Sequence, residues 1–149
     1  MDMYDGLHFW SRRSVYKPGS QLDEMTIRKV EQQLGYSLPQ SYKNLMKKQN
    51  GGDLAYRYFV FADGEAIIIP YLFELDEESG VGMSPIFVEQ CGLPEKLVLL
   101  TGDLDAWVAL DYRQEKPTIV YLIQDENGMW EEIEIAQSFS QFINRLMKK

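Results

Sequence analysis

Three aspartates, Asp103, Asp105 and Asp111, crowd one short stretch, and carboxylates so close together are the first place to look for chemistry. Such groups can chelate calcium, work as an acid–base pair, or attract a basic partner. A calcium loop opening at Asp103 needs glycine at its sixth position and a bidentate glutamate at its twelfth. The chain has Val108 and Gln114 there, which speaks against a metal. A catalytic carboxylate pair is equally poorly marked. With 23 acidic residues in the chain, closeness in sequence is expected by chance. Turn formation accounts for Asp103 and Asp105 better, because aspartate stabilises turns by bonding its own backbone. The remaining chemistries lack their parts. Cys91 is the only cysteine and His8 the only histidine, so a disulfide, a thiolate metal cluster and a histidine-based nucleophile system have no residues to build them. Gly80-Val81-Gly82 is too short for a phosphate loop and lacks the following Lys-Ser/Thr. No cofactor, no metal and no catalytic residue is expected.

The acids belong to an element that must position them. Trp107-Val108-Ala109-Leu110-Asp111-Tyr112 reads as a strand, with Trp107, Ala109 and Asp111 on one face and Val108, Leu110 and Tyr112 on the other. A strand apolar on both faces belongs inside a sheet, covered on both sides. Asp111, with Arg113 two residues on, is expected to make a structural hydrogen bond or ion pair. The turn at Asp103 and Asp105 is the part expected to meet a partner.

Around this strand the pattern predicts an α+β domain. Ser20 or Asp23 caps a helix whose stripe is Ile27, Val30 and Leu34 and whose end is Gly35. Pro39 opens a second helix with Tyr42, Leu45, Met46 and Gln49 inward, ended by Asn50-Gly51-Gly52. From residue 54 the period becomes two. Strands are expected over 54–61, 65–72, 96–101, 107–112, 118–123 and 129–135, giving a central antiparallel sheet of about six strands flanked by helices. Residues 74–83 read as an exposed, mobile acidic loop, and 84–91 as a short helix. Ser138 and Gln141 form a capping box for a last helix in which Phe139, Phe142, Ile143, Leu146 and Met147 share one face. Residues 1–18 read as a short helix or an extended arm docking its aromatics on the core. Trp10 beside Arg12 and Arg13 is too small a basic cluster to imply nucleic acid.

At 149 residues, 45% of them hydrophobic and 13% aromatic, the chain reads as one domain, 1–149, with a packed core. No apolar run nears the roughly 18 residues that span a bilayer. The acidic N-terminus does not resemble a signal peptide, so a cytoplasmic location without membrane contact is expected. The net charge of −8 is uneven: residues 1–50 carry +3 and residues 51–149 carry −11. Such a chain repels nucleic acid and attracts a basic partner.

Three stretches in order resemble the SUKH superfamily, the Smi/Knr-like proteins. They are Ile27…Val30-Glu31…Leu34-Gly35…Leu38-Pro39…Tyr42…Leu45…Asn50-Gly51-Gly52; then Ala109-Leu110-Asp111-Tyr112-Arg113; then Ile135-Ala136-Gln137-Ser138-Phe139…Phe142-Ile143…Leu146. Residues 73–92 and 1–18 show no such likeness. The resemblance implies an α+β fold with a central antiparallel sheet and no catalytic residues. It further implies, on its bacterial side, a non-catalytic immunity protein that binds and neutralises a cognate toxin domain, often a nuclease. On its fungal side it implies a regulatory or scaffold module without a toxin. The expected partner-binding residues are Asp103, Asp105, Trp107, Asp111 and Tyr112, with Asp76, Glu77 and Glu78 as a secondary rim, in a monomer or weak dimer.

Overall fold

The computed structural model describes residues 2–149. The chain opens as an extended arm with a two-residue strand, β1 (Asp2–Met3). The arm docks its aromatics as expected. Phe9 is buried, Trp10 forms a bridge with Leu54, and the Ser11 N–H donates to the Asp53 carbonyl at 2.8 Å. The Asp53 carboxylate accepts the backbone N–H groups of Val15 (2.9 Å) and Tyr16 (3.0 Å). These bonds, Val15 foremost, outweigh its burial and hold the carboxyl below the usual aspartate range.

Helix α1 (Glu24–Leu34) begins where its cap does: the Asp23 carboxylate accepts the Thr26 N–H at 2.7 Å, worth about 1 kcal/mol. It ends at Gly35, whose φ of 85° is left-handed. Helix α2 (Gln40–Lys48) follows Pro39 directly and buries Tyr42, Leu45 and Met46. The next region is more broken than two strands. It holds β2 (Gly52–Asp53), β3 (Tyr58–Val60), β4 (Ala66–Ile68) and β5 (Tyr71–Leu72). Pro70 lies between β4 and β5, where its missing N–H breaks the ladder. A short 3-10 turn (Val81–Met83) leads into α3 (Ser84–Cys91). Four strands then run as a meander: β6 (Leu97–Gly102), β7 (Ala106–Asp111), β8 (Thr118–Gln124) and β9 (Trp130–Ala136). Helix α4 (Phe139–Asn144) and β10 (Leu146–Lys148) close the chain.

The α+β class holds, and every strand pairing inside the sheets is antiparallel. The single six-stranded sheet does not. The strands divide into β1-β10-β3-β4, a β2-β5 pair, and β6-β7-β8-β9. The last helix is also shorter than its stripe. The Ser138 half of its cap forms as expected, Oγ accepting the Gln141 N–H at 3.0 Å, whereas Gln141 Oε1 reaches one residue further back and accepts the Gln137 N–H at 2.6 Å. Leu146 and Met147, however, leave the helix and pair as a strand with β1 and β3. Two apolar residues between Arg145 and Lys148 are too short a run to separate a period of two from one of 3.6. Backbone partners on both sides decided the conformation. Lys148 and Lys149 accordingly lie over the rings of Tyr56 and Tyr58 rather than at a helix end.

Strand β7 is interior, as its two apolar faces require. Val108 and Leu110 belong to the main core with Val98, Leu100, Ile119, Phe139 and Phe142. Trp107 and Ala109 belong to a second core with Leu93, Leu97, Leu99, Val120 and Leu122, covered by Phe87, Val88 and Cys91 of α3. Each fully buried Leu or Val contributes about 1.5–3 kcal/mol relative to exposure. The sheet is therefore held from both sides, and its hairpin ends are fixed platforms. No helix among the described residues is long and apolar enough to cross a membrane.

Candidate functional site

The β6–β7 hairpin ends in Asp103-Leu104-Asp105, and all three residues are exposed, Leu104 to 77%. The turn is built by Asp103. Its Oδ1 accepts the backbone N–H groups of Asp105 (3.0 Å) and Ala106 (3.2 Å), and its own N–H donates to the Ala106 carbonyl (2.9 Å). That leaves Asp103 Oδ2 and the whole Asp105 carboxylate without a protein partner among the described residues. Behind the tip, Gly102 (φ 152°) lets the chain pass the Trp107 indole, because a Cβ there would lie 2.5 Å from that ring. Trp107 is 5% exposed and stacks on Phe87 at 5.9 Å. Its Nε1–H is buried with no hydrogen-bond partner among the described residues.

Two clefts flank this tip. The first, about 190 Å³, lies between Ile67–Tyr71 and the β6–β7–β8 surface of Thr101, Ala106, Val108 and Tyr121. Among the described residues Asp103 is its only carboxylate, and no Lys or Arg lines it. Burial, with the Asp103 charge next, raises the pKa of both Tyr71 and Tyr121, so the acid's field reaches the cleft walls. The second cleft, about 390 Å³, is lined by Tyr16, Phe73, Gly80 and Phe87 opposite Asp103, Leu104 and Trp107.

The acidic segment facing that second cleft is tied down rather than loose. Leu75, Val81 and Gly82 are buried. The Asn50 side chain, itself 4% exposed, donates to the Ser20 carbonyl (2.8 Å) and the Leu75 carbonyl (3.1 Å) and accepts the Leu75 N–H (2.7 Å). Gln33 donates to the carbonyls of Glu77 (2.8 Å) and Gly82 (2.9 Å), and the Tyr16 hydroxyl donates to Glu74. Ser84 closes the segment by donating to the Val81 carbonyl and accepting the Leu99 N–H. The expectation of a mobile loop fails because its charges are flanked by buried apolar residues and served by distant side chains. Within it Glu77 and Glu78 are exposed, while Asp76 is half-buried and accepts the Glu78 N–H.

Asp111 and Tyr112 stand at the opposite end of β7, about 17 Å along the strand. Asp111 is 5% exposed. Its Oδ1 accepts from the Arg113 backbone N–H and Nε, and its Oδ2 from Nη2, at 2.9–3.0 Å. Arg113 also donates two bonds to Glu132. Burial alone would raise the Asp111 pKa; the Arg113 bonds outweigh it and hold the carboxyl below its usual range. The same bonds raise the pKa of Arg113. Tyr112 stacks on Tyr36 at 4.3 Å and donates to the Ser37 carbonyl at 2.7 Å. The structure thus joins Asp103, Asp105 and Trp107, sets Glu77 and Glu78 in the segment across one cleft, and separates Asp111 and Tyr112 from them. The apolar walls come from two segments far apart in the chain, Ile67, Ile68 and Tyr71 on one side and Tyr121 on the other, and no spacing marks those two segments as neighbours.

Comparison with known proteins adds one finding. A family model, SUKH_6, described as SMI1-KNR4 cell-wall, matches residues 24–143. The match spans 73–92, where the motifs are silent, and leaves the arm and β10 outside. No curated protein and no solved structure matches the chain.

Proposed function

The chain belongs to the SMI1-KNR4 cell-wall family of the SUKH superfamily, and from that premise we propose that it is a non-catalytic binding protein of the cytoplasm that neutralises a cognate toxin domain by covering it. The observation that carries the reading is the exposed Asp103-Leu104-Asp105 tip beside an apolar cleft free of bases. A partner with cationic and apolar groups side by side finds both needs met there. A nuclease domain fits, because its basic groups for nucleic acid phosphates would accept carboxylates in their place. Attraction between the −11 charge of residues 51–149 and such a surface speeds the encounter.

The test is co-expression with the toxin encoded in the adjacent reading frame, followed by co-purification. Protection of the host, together with a complex that weakens as salt rises, is the expected result. Equal killing with and without this protein overturns the reading.

A further inference from the structure

The two four-stranded sheets have four outer strands, and exposed strand edges are normally guarded because their free N–H and C=O groups recruit other chains. Strand β1 is two residues long and carries Asp2. The outer side of β6 is occupied, since the Leu100 carbonyl accepts the Phe73 N–H at 2.9 Å and the Leu99 N–H donates to Ser84 Oγ at 2.9 Å. Strand β9 exposes Glu131, Glu132 and Glu134. Strand β4, Ala66-Ile67-Ile68, has no charge, and Ile68 is 60% exposed.

The hydrogen-bond phase says which groups of β4 are free. The Phe61 N–H donates to the Glu65 carbonyl and the Ile69 N–H to the Arg57 carbonyl, with Phe59 paired to Ile67 between them. In an antiparallel ladder, residues alternate between facing the partner and facing away. Ala66 and Ile68 therefore turn their backbone groups outward. The first cleft is lined by consecutive residues, Ile67 through Pro70, although their side chains alternate. It therefore adjoins the Ile67–Ile68 end of the strand and continues past it to Pro70.

We infer that the outer edge of β4 receives an extended, basic segment of a protein partner as an added strand, an inference that rests on reading this end of the molecule as a protein-docking face. The backbone of Ala66 and Ile68 supplies the hydrogen bonds, and the Ile68 side chain and the cleft take alternate apolar residues. Glu65 at the start of the strand and Asp103 in the cleft wall select cationic residues between them. A second copy of this chain is a poor occupant, because it would bring the same carboxylates together at a net charge of −8.

The probe is an eight-residue peptide alternating valine and lysine, added to the full chain and followed by amide hydrogen exchange and fluorescence polarisation. Binding with new protection at the Ala66 and Ile68 amides is expected. Ile68→Lys, at an exposed position that leaves the β3–β4 ladder intact, should weaken binding on the order of tenfold through like-charge repulsion. No binding, equal binding by Ile68→Lys, or protection elsewhere overturns the inference. So does a concentration-dependent dimer lost in Ile68→Lys, which would make a second copy the occupant. A toxin still neutralised by Ile68→Lys overturns this inference and leaves the proposed function standing. A toxin ignored by the wild-type chain overturns the proposed function, and the peptide result then judges β4 by itself.

Discussion

At one end of β7, Asp111 is 5% exposed and both of its oxygens are held by Arg113; at the other, Asp103 and Asp105 are exposed, and among the described residues their carboxylates make no bond beyond their own turn. The residue type is the same and the strand is the same. The difference is what each carboxylate has given up. Asp111 has exchanged water for an arginine, so its charge is spent on holding the end of the sheet. The tip aspartates keep most of their hydration and their field, which is what a steering charge needs. A carboxylate's worth to a partner therefore follows from its remaining valences rather than from its place beside a conspicuous strand.

The sharpest way to break this contrast is Asp111→Ala. It leaves Arg113 facing an emptied, buried position, and a loss of about 3 kcal/mol in urea unfolding is expected, toward the low end for a buried pair because Arg113 is partly exposed. Partner affinity of the folded fraction should stay within experimental error. A matching loss of affinity would instead place Asp111 at the interface.

The converse substitution, Asp103→Lys with Asp105→Lys, should cost about 2 kcal/mol of binding to a basic partner, mostly in the association rate and its salt dependence. Its stability cost should be nearer 1 kcal/mol, the worth of the bonds Asp103 makes to the turn. Unchanged association kinetics would show that the tip does not steer.

Acid titration separates the two ends without mutation of the tip. The folded pKa of Asp111 lies below its unfolded value of 3.8, so its contribution is full above that value and is lost as the pH falls through the folded pKa. Asp111→Asn should flatten that part of the stability profile below about pH 4. The slope that remains is owed to Asp23, Glu24 and Asp53, whose pKa values are also lowered. A profile identical to wild type would contradict the ion pair.

The smallest expected effect is Tyr112→Phe. It removes the hydrogen bond to the Ser37 carbonyl and keeps the stacking on Tyr36, so it should cost about 0.5–1 kcal/mol of stability. No change in partner binding is expected, measured by calorimetry on both proteins.

Much of the fold was legible because its signals are local. The Asp23 cap, Gly35, Pro39 and the Ser138–Gln141 pair each act within a few residues and formed where the chain announces them. The site was legible in part. The turn chemistry of Asp103 and the Asp111–Arg113 pairing follow from neighbours in sequence, whereas the cleft beside the tip joins the segment of β4 and Pro70 to Tyr121, far along the chain. Asn50 shows the limit well. In sequence it ends a helix ahead of two glycines; in the fold its buried amide also anchors Leu75, 25 residues on.

The sequence by itself determined the α+β class, the interior place of β7 and the acid that completes its turn. Side-chain periodicity and backbone self-bonding need no distant partner to act. Only the tertiary structure decided that Leu146–Lys148 is a strand, that the strands divide among three sheets, and that 74–83 is tethered. It also decided which carboxylates remain unspent. The strand, the division into sheets and the tether each depend on a hydrogen-bond partner far along the chain, and such partners are found only once the two cores have closed.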